Sequence, residues 1–329
     1  MNDLDRTIIQ ALEKPLVVGD HEIMVSMSAG IAISPDDGDD ADTLIRNAGV
    51  ALREAKQSGE RYLFYQPEMN TKIAQGLSLE NKLRTALDRN EFVLYYQPKV
   101  SGVTRKVTGV EALIRWNDPE SGLVPPGAFI PLLEETRLIL QVGSWAIRQA
   151  LADAQRWRAA GIEAPRIAVN VSALQLKQKD FVESVRNAIA ARNCTAPGID
   201  LEITESMIVT DIEQNIARLT AIRQMGLAIA IDDFGTGYSS LSYLARLPVD
   251  ALKIDQSFVG TMTTSPVSMT IVSTMIAMAH ALDLKVIAEG VEEEEQAKFL
   301  ALLKCDELQG YLISRPLPAD GLLEFLRSH

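Results

Sequence analysis

The sequence predicts an α/β protein whose larger part, residues 92–329, folds as a TIM-type (β/α)8 barrel behind a smaller α+β unit. Eight short β-rich apolar runs alternate with helical stretches over about 240 residues, the rhythm and length of such a barrel. Polar side chains stand at the ends of those runs. No glycine-rich phosphate loop follows the first run, which disfavours the competing doubly wound open sheet.

Residues 22–34 (EIMVSMSAGIAIS) alternate as a strand pair or bent strand, and 42–58 read as a helix opened by Asp42 as N-cap. These elements are too few to close a sheet, so they belong to a domain whose first half is absent. Residues 66–90 are polar and helical, with Leu79, Leu83 and Leu87 on one face, and form a connector. The eight runs follow at 93–98, 107–114, 167–171, 199–204, 228–232, 251–254, 285–289 and 308–312. Helices are expected at 144–160, 180–192, 212–225, 268–282 and 292–303. Within the fourth of these, Met269, Met275 and Met278 read as core or interface packing. The acidic run Glu292–Glu295 opens the fifth, where negative charge suits the helix dipole.

Composition narrows the chemistry. With 329 residues, 47 % of them hydrophobic, the chain can bury one large core and a smaller one. Lys and Arg number 32 against 44 Asp and Glu, a net charge of −12, which disfavours a nucleic acid polymer as partner. The three histidines, His21, His280 and His329, fall in unrelated elements, so neither a histidine metal cage nor a Ser-His-Asp triad has material. Cys194 and Cys305 form no CxxC pair and read as buried fillers in a reducing, cytoplasmic setting. Neither a signal peptide nor a membrane span is legible, so no membrane contact is expected of this stretch. A longer parent could still be membrane-anchored.

Active sites of such barrels collect at the C-terminal ends of the strands. In strand order those ends carry Gln97, Glu111, Asn170, Glu202, Asp232 with Asp233, Lys253, Glu289 and Gln309. Any one of them alone reads equally as a helix cap or a solvated loop residue, Asp233 above all. Together, five carboxylates at one mouth repel each other unless cations sit among them. Oxygen ligands without histidine or thiolate point to magnesium or manganese, and two ions sharing one carboxylate suit a phosphate diester. Arg115 shares a strand face with Glu111 and could fork onto a phosphate, a surface ion pair being the alternative. Lys253, ending an apolar run, could orient water. Gly235 and Gly237 give the following loop conformational freedom, either for a mobile cover or for a plain tight turn.

Glu111-Ala112-Leu113 within GVEALIRW resembles the signature of EAL domains. NVS at 170–172, LEITES at 201–206, DDFGTGYSSLSYL at 232–244, LKIDQSFV at 252–259, VIAEGVE at 286–292 and QGYLISRP at 309–316 resemble the family's other motifs in order. The resemblance covers roughly residues 78–326. It implies a barrel that opens cyclic di-GMP to linear pGpG with two Mg2+ or Mn2+ ions. By the same resemblance Glu111, Asn170, Glu202 and Asp232 hold the first metal, and Asp232 and Asp233 the second. Lys253 steadies the hydrolytic water, and Glu289 is metal ligand or general base. Gln97, Leu113, Arg115 and Gln309 contact substrate, Arg115 at phosphate and Gln309 at a guanine edge. Glu205 anchors the loop at 233–240, whose state in the family is tied to dimerisation and activity, so a homodimer through this domain is expected. The departures are Arg137, where the family often has glycine, and Leu174-Gln175 after NVSA.

Residues 1–69 resemble the C-terminal part of a GGDEF domain without its signature stretch, so cyclase activity is not expected. Gly49, where that family often has aspartate, adds to this. The start at Met1 reads as a cut within a longer parent. The implied organisation is a partial GGDEF-like domain at 1–69, a connecting helix at 70–91 and the barrel at 92–329. Two other readings are weighed: a cyclic di-GMP receptor without turnover, and a lyase or isomerase using lysine and carboxylates for proton abstraction. Arg115 and the Asp232-Asp233 pair favour a phosphate ester over the latter.

Overall fold

The structure, a computed structural model, describes residues 16–18, 21–23, 27–191, 198–207, 211–236 and 241–328. The chain divides into two compact units, Met1–Lys82 and Leu83–His329.

In the first unit β1 (Leu16–Val18) pairs antiparallel with β2 (His21–Ile23), while β3 (Ala29–Ile31) pairs parallel with β4 (Tyr62–Phe64) across the helix α1 (Ala41–Ser58). The expected run 22–34 is thus two strands with different partners, and residues 24–26 lie outside the described residues. The expected cap also moves. Asp40, not Asp42, is the N-cap: its backbone is extended and its carboxylate accepts the Thr43 amide at 2.9 Å. Asp42 lies in the first turn, where it favours the dipole. α1 lies close on β3 because Gly30 has no side chain; a Cβ there would stand 2.0 Å from the Ala48 carbonyl oxygen. The helix α2 (Pro67–Ala86) runs across the division between the units.

The second unit is built on a closed ring of eight strands. It opens with β5 (Phe92–Ser101) and β6 (Val107–Asp118), to which the short β7 (Gly122–Val124) adds. After the helices α3 (Ile130–Glu135) and α4 (Ile139–Ala159) come β8 (Arg166–Asn170), α5 (Ala173–Lys177), α6 (Phe181–Ala190) and β9 (Ile199–Thr204). α7 (Ile212–Arg223), β10 (Ile229–Phe234), α8 (Leu241–Leu244), β11 (Ala251–Ile254), α9 (Gln256–Val259) and α10 (Pro266–Ala281) follow. The ring is completed by β12 (Lys285–Ala288), α11 (Glu294–Leu302), β13 (Glu307–Gln309), the short β14 (Leu317–Pro318) and α12 (Ala319–Ser328). Around the ring the order is β5, β13, β12, β11, β10, β9, β8, β6, with β6 returning to β5.

One strand departs from the expected all-parallel barrel. β5 is antiparallel to both β6 and β13. The reason is its connection: the five residues between β5 and β6 form a turn closed by Ser101 N–H donating to the Lys106 carbonyl at 2.9 Å, too short for a crossover helix. Gln97 and Glu111 consequently face each other in mid-strand, not at the C-terminal ends where they were expected.

Alternation then sorts side chains. On β5 Leu94 and Tyr96 join the apolar core outside the ring, and Tyr96 meets Trp157 of α4 edge-on at 4.9 Å. Val142, Ala146, Ala150 and Trp157 line the buried face of α4, and burying a residue the size of Trp157 stabilises by roughly 1.5–3 kcal/mol. Val272, Met275, Ile276 and Ala279 do the same for α10. Cys305 is buried, its thiol facing the Val286 and Glu307 carbonyls; Cys194 lies outside the described residues. Gln175 is explained by a capping box: its side chain accepts the Ser172 amide at 3.1 Å while Ser172 Oγ caps the Gln175 amide. Arg137 sits at φ +61, a left-handed position that suits glycine.

The N-terminal mouth of the ring is tied by a repeated device. Asp200 accepts the Ala228 amide and pairs with Arg166; Asp250 accepts the Ile229 amide at 2.9 Å and Arg223 at 2.6 Å; Asp306 accepts the Val286 amide at 2.8 Å beside His280. Each carboxylate thereby fixes the start of a neighbouring strand. Replacing Asp250 by Ala leaves the Ile229 amide without its acceptor and should cost about 1–3 kcal/mol. A lower urea midpoint with unchanged slope is the expected result, and an unchanged midpoint would contradict it.

Candidate active site

At the opposite, C-terminal mouth the inward residues converge on one ammonium group. Lys253 on β11 is fully buried, and its Nζ lies 2.7 Å from Glu202, 2.7 Å from Glu289, 3.0 Å from Asp232 and 3.3 Å from Glu111. Glu111 is held further by amides: Asn170 Nδ2 donates to its Oε1 at 2.7 Å and Gln309 Nε2 to its Oε2 at 2.6 Å. Gln309 Nε2 also approaches Gln97 Oε1 at 3.2 Å, and Gln97 in turn donates to the Ser314 carbonyl at 3.2 Å. Gln309 Oε1 is buried and has no hydrogen-bond partner among the described residues.

Adjacent Asp232 and Asp233 pose a geometric problem, since neighbours in a strand point to opposite faces. The chain solves it with a bulge. The β10–β11 register shifts between Ile231 and Phe234, and Asp233 takes the left-handed conformation at φ +53. Both carboxylates therefore reach the mouth, with Asp232 Oδ1 accepting the Asp233 amide at 3.0 Å. Two sets of three oxygens result, each within 4.8 Å of one another: Glu111, Glu202 and Asp232 in one, Asp232, Asp233 and Glu289 in the other. Asp232 is common to both. The N-cap alternative for Asp233 is not realised in the described residues, where the side chain joins the carboxylate set.

Beyond the bulge, Gly235 donates its amide to Glu205 Oε2 at 3.0 Å, which ties the loop start to the end of β9. At φ +99 this position needs glycine, and a Cβ would meet Met275 Cε at 2.3 Å. Gly237 and the rest of the loop to residue 240 lie outside the described residues. Arg115 forms no ion pair among the described residues; its Nη1 donates to the Ile114 carbonyl at 2.8 Å and its guanidinium lies 5.9 Å from the centre of the Tyr95 ring. Leu113, on the same face of β6, is half-buried and pairs with Tyr95.

One member escaped the sequence reading. Lys99 is buried on β5 and its Nζ lies 3.1 Å from Glu202 Oε1. Its parity with Gln97 is the signal that could have found it, had the run not been ended at residue 98.

The electrostatics describe a site short of positive charge. Burial drives Glu202 up to about 7, with the Glu111 carboxylate adding to it. Burial likewise drives Glu289 up to about 8 against the pull of Lys253. For Glu111 burial acts upward too, but Lys253 and the Gln309 amide overcome it and hold the carboxyl at about 2. Burial and the neighbouring Asp232 raise Asp233. Burial acts to lower the Lys253 ammonium, and the four carboxylates around it more than compensate, holding it well above the ordinary range. Two ammonium groups thus face five carboxylates. The two triads offer carboxylate oxygens alone, a donor set that fits hard divalent cations such as magnesium or manganese. A cavity of about 730 Å³ opens at the N-terminal mouth, where Arg166 and Arg223 pair with Asp200 and Asp250.

Fold and site together define an α/β barrel whose C-terminal mouth gathers acidic clusters that could hold metal ions. The chain belongs to the EAL family: the EAL domain model matches residues 80–316, and the diguanylate cyclase GGDEF domain model matches residues 1–62. It is 42 % identical over 321 residues to the bifunctional diguanylate cyclase/cyclic di-GMP phosphodiesterase MucR of Pseudomonas aeruginosa, covering 97 % of this chain and 47 % of that protein. To the cyclic di-GMP phosphodiesterase PdeR of Escherichia coli it is 40 % identical, covering 95 % of this chain and 47 % of PdeR. The chain spans less than half the length of these relatives. Among solved structures, the MucR phosphodiesterase in complex with c-di-GMP superposes with a TM-score of 0.72 at 45 % identity, covering 74 % of this chain and 99 % of that one. No helix among the described residues is long and apolar enough to cross a membrane.

Proposed function

We propose that the barrel hydrolyses one phosphodiester bond of cyclic di-GMP, giving linear pGpG. The observation that carries this reading is Asp232, shared between two carboxylate triads at the barrel mouth, the arrangement a two-cation phosphodiesterase requires. MucR and PdeR, named as acting on cyclic di-GMP, and the cyclic di-GMP complex of MucR supply the substrate class.

Glu111, Asn170, Glu202 and Asp232 would hold one ion, and Asp232, Asp233 and Glu289 the other. Magnesium or manganese bound there supplies Lewis acidity at the phosphodiester and makes water a nucleophile near neutral pH. Lys253 keeps the carboxylates from springing apart and holds a proton donor at the reacting centre. Arg115, with no carboxylate partner among the described residues, is available to fork onto a phosphate. Gln97, Leu113 and Gln309 line the approach to Glu111, and Glu205 holds the loop start through the Gly235 amide. Residues 1–69 act as a partial GGDEF-like domain, 70–91 as the connecting helix and 92–329 as the enzyme, a cytoplasmic protein pairing through its barrel.

Incubation of the chain with cyclic di-GMP and magnesium, followed by nucleotide separation, should yield pGpG, and EDTA should abolish it. A barrel that binds cyclic di-GMP in calcium yet gives no pGpG in magnesium or manganese at any enzyme concentration would instead be a receptor.

A further inference from the structure

Just past Gln309 the chain makes a compact turn that the catalytic set does not account for. Ile313 and Ser314 both donate to the Gly310 carbonyl, at 3.1 and 3.2 Å, and Leu312 donates to the Val291 carbonyl at 3.0 Å. Gln97 fastens the same turn from inside the barrel through its 3.2 Å bond to the Ser314 carbonyl. Gln97 is itself linked to Gln309, and Gln309 to Glu111, so the turn is held to the carboxylate cluster by a continuous chain of amides.

The turn presents a stacked pair. The Arg315 guanidinium lies over the Tyr311 ring at 4.3 Å, and Tyr311 is 50 % exposed, so the stack stands open to solvent. Tyr311 stands two residues past Gln309, whose strand ends at the carboxylate cluster, so the turn that carries the pair leaves from the mouth. Unlike Arg105, Arg156, Arg166, Arg223 and Arg246, Arg315 pairs with no carboxylate among the described residues. In a chain of net charge −12 this is a planar cation laid over an aromatic ring, its N–H groups without a partner among the described residues.

Resting on the cyclic di-GMP reading above, we infer that Arg315, stacked on Tyr311, is a specificity residue that reads the O6 and N7 edge of one guanine of the substrate. Two neighbouring acceptors on guanine match the fork of a guanidinium, whereas adenine turns an amino donor toward it at the same place. Stacking fixes the fork before the base arrives, so little rotamer freedom is lost on binding. Arg115 remains the phosphate contact, lying on the Glu111 face of its strand.

The test is calorimetric titration of the full chain and its Arg315→Met and Arg315→Lys variants with cyclic di-GMP and with cyclic di-AMP, in calcium so that binding is read without turnover. Arg315 is exposed, so the variants should fold. Arg315→Met should weaken cyclic di-GMP binding on the order of tenfold, the worth of one forked base contact, and leave cyclic di-AMP binding within about twofold. Arg315→Lys should recover only part of the loss, since an ammonium cannot fork. An unchanged cyclic di-GMP affinity, or equal losses for both ligands as a phosphate contact would give, overturns the inference. Failure of the unsubstituted chain to bind cyclic di-GMP overturns it together with the substrate assignment, whereas binding without turnover touches only the hydrolytic reading.

Discussion

Replacing Glu111 with Ala should lower turnover of cyclic di-GMP on the order of 10³-fold. Glu111 is 4 % exposed and joins three groups: Lys253, the Asn170 amide and the Gln309 amide. Removing its carboxylate takes one oxygen from the first triad, leaves the Asn170 amide without its acceptor and leaves Gln309 only its longer bond to Gln97, so an ion worth several kcal/mol to the transition state is misplaced or lost. The wild-type chain and the variant, assayed side by side with a manganese titration of each, decide the matter. Turnover within tenfold of wild type at saturating manganese would remove Glu111 from the metal set.

The second large effect concerns Lys253→Met. Its ammonium is the common partner of Glu111, Glu202, Asp232 and Glu289, and the side chain is 0 % exposed. Without it four carboxylates crowd one desolvated point, and loss of one partner from a buried pair costs about 3–5 kcal/mol. In a domain of this size that is roughly a 10 °C fall in melting temperature, taking about 2–4 °C per kcal/mol. Divalent cations supply the missing charge, so manganese should raise the variant's melting temperature more steeply than the wild type's. Turnover should still fall by about 10²–10⁴-fold, because a metal ion restores charge but not the proton donor. A variant that melts like the wild type in EDTA would show that the carboxylates do not depend on this ammonium.

Much of this site is legible before any fold is known, and the reason is chemical. Buried acidic residues without histidine or cysteine admit few roles. Glu202 could be assigned from IDLEIT, where alternation puts Ile199, Leu201 and Ile203 on one face and the acids on the other; the structure keeps β9 over those six residues. Asp42 shows where such reading stops, for two acids one residue apart, Asp40 and Asp42, both suit a helix start and only backbone geometry selects Asp40. Lys99 shows another limit. A lysine after a proline at the apparent end of a run looks like an exit to solvent, yet β5 continues to Ser101 and carries it under Glu202.

The sequence by itself determined the class of fold, the family and the identity of the acids, because hydrophobic period and side-chain chemistry are local properties of the chain. Only the tertiary structure decided how those acids meet. The reversal of β5 sets Gln97 opposite Glu111, and the bulge at Asp233 turns two neighbouring carboxylates toward one mouth. Both depend on hydrogen bonds between strands, whose register no local pattern records.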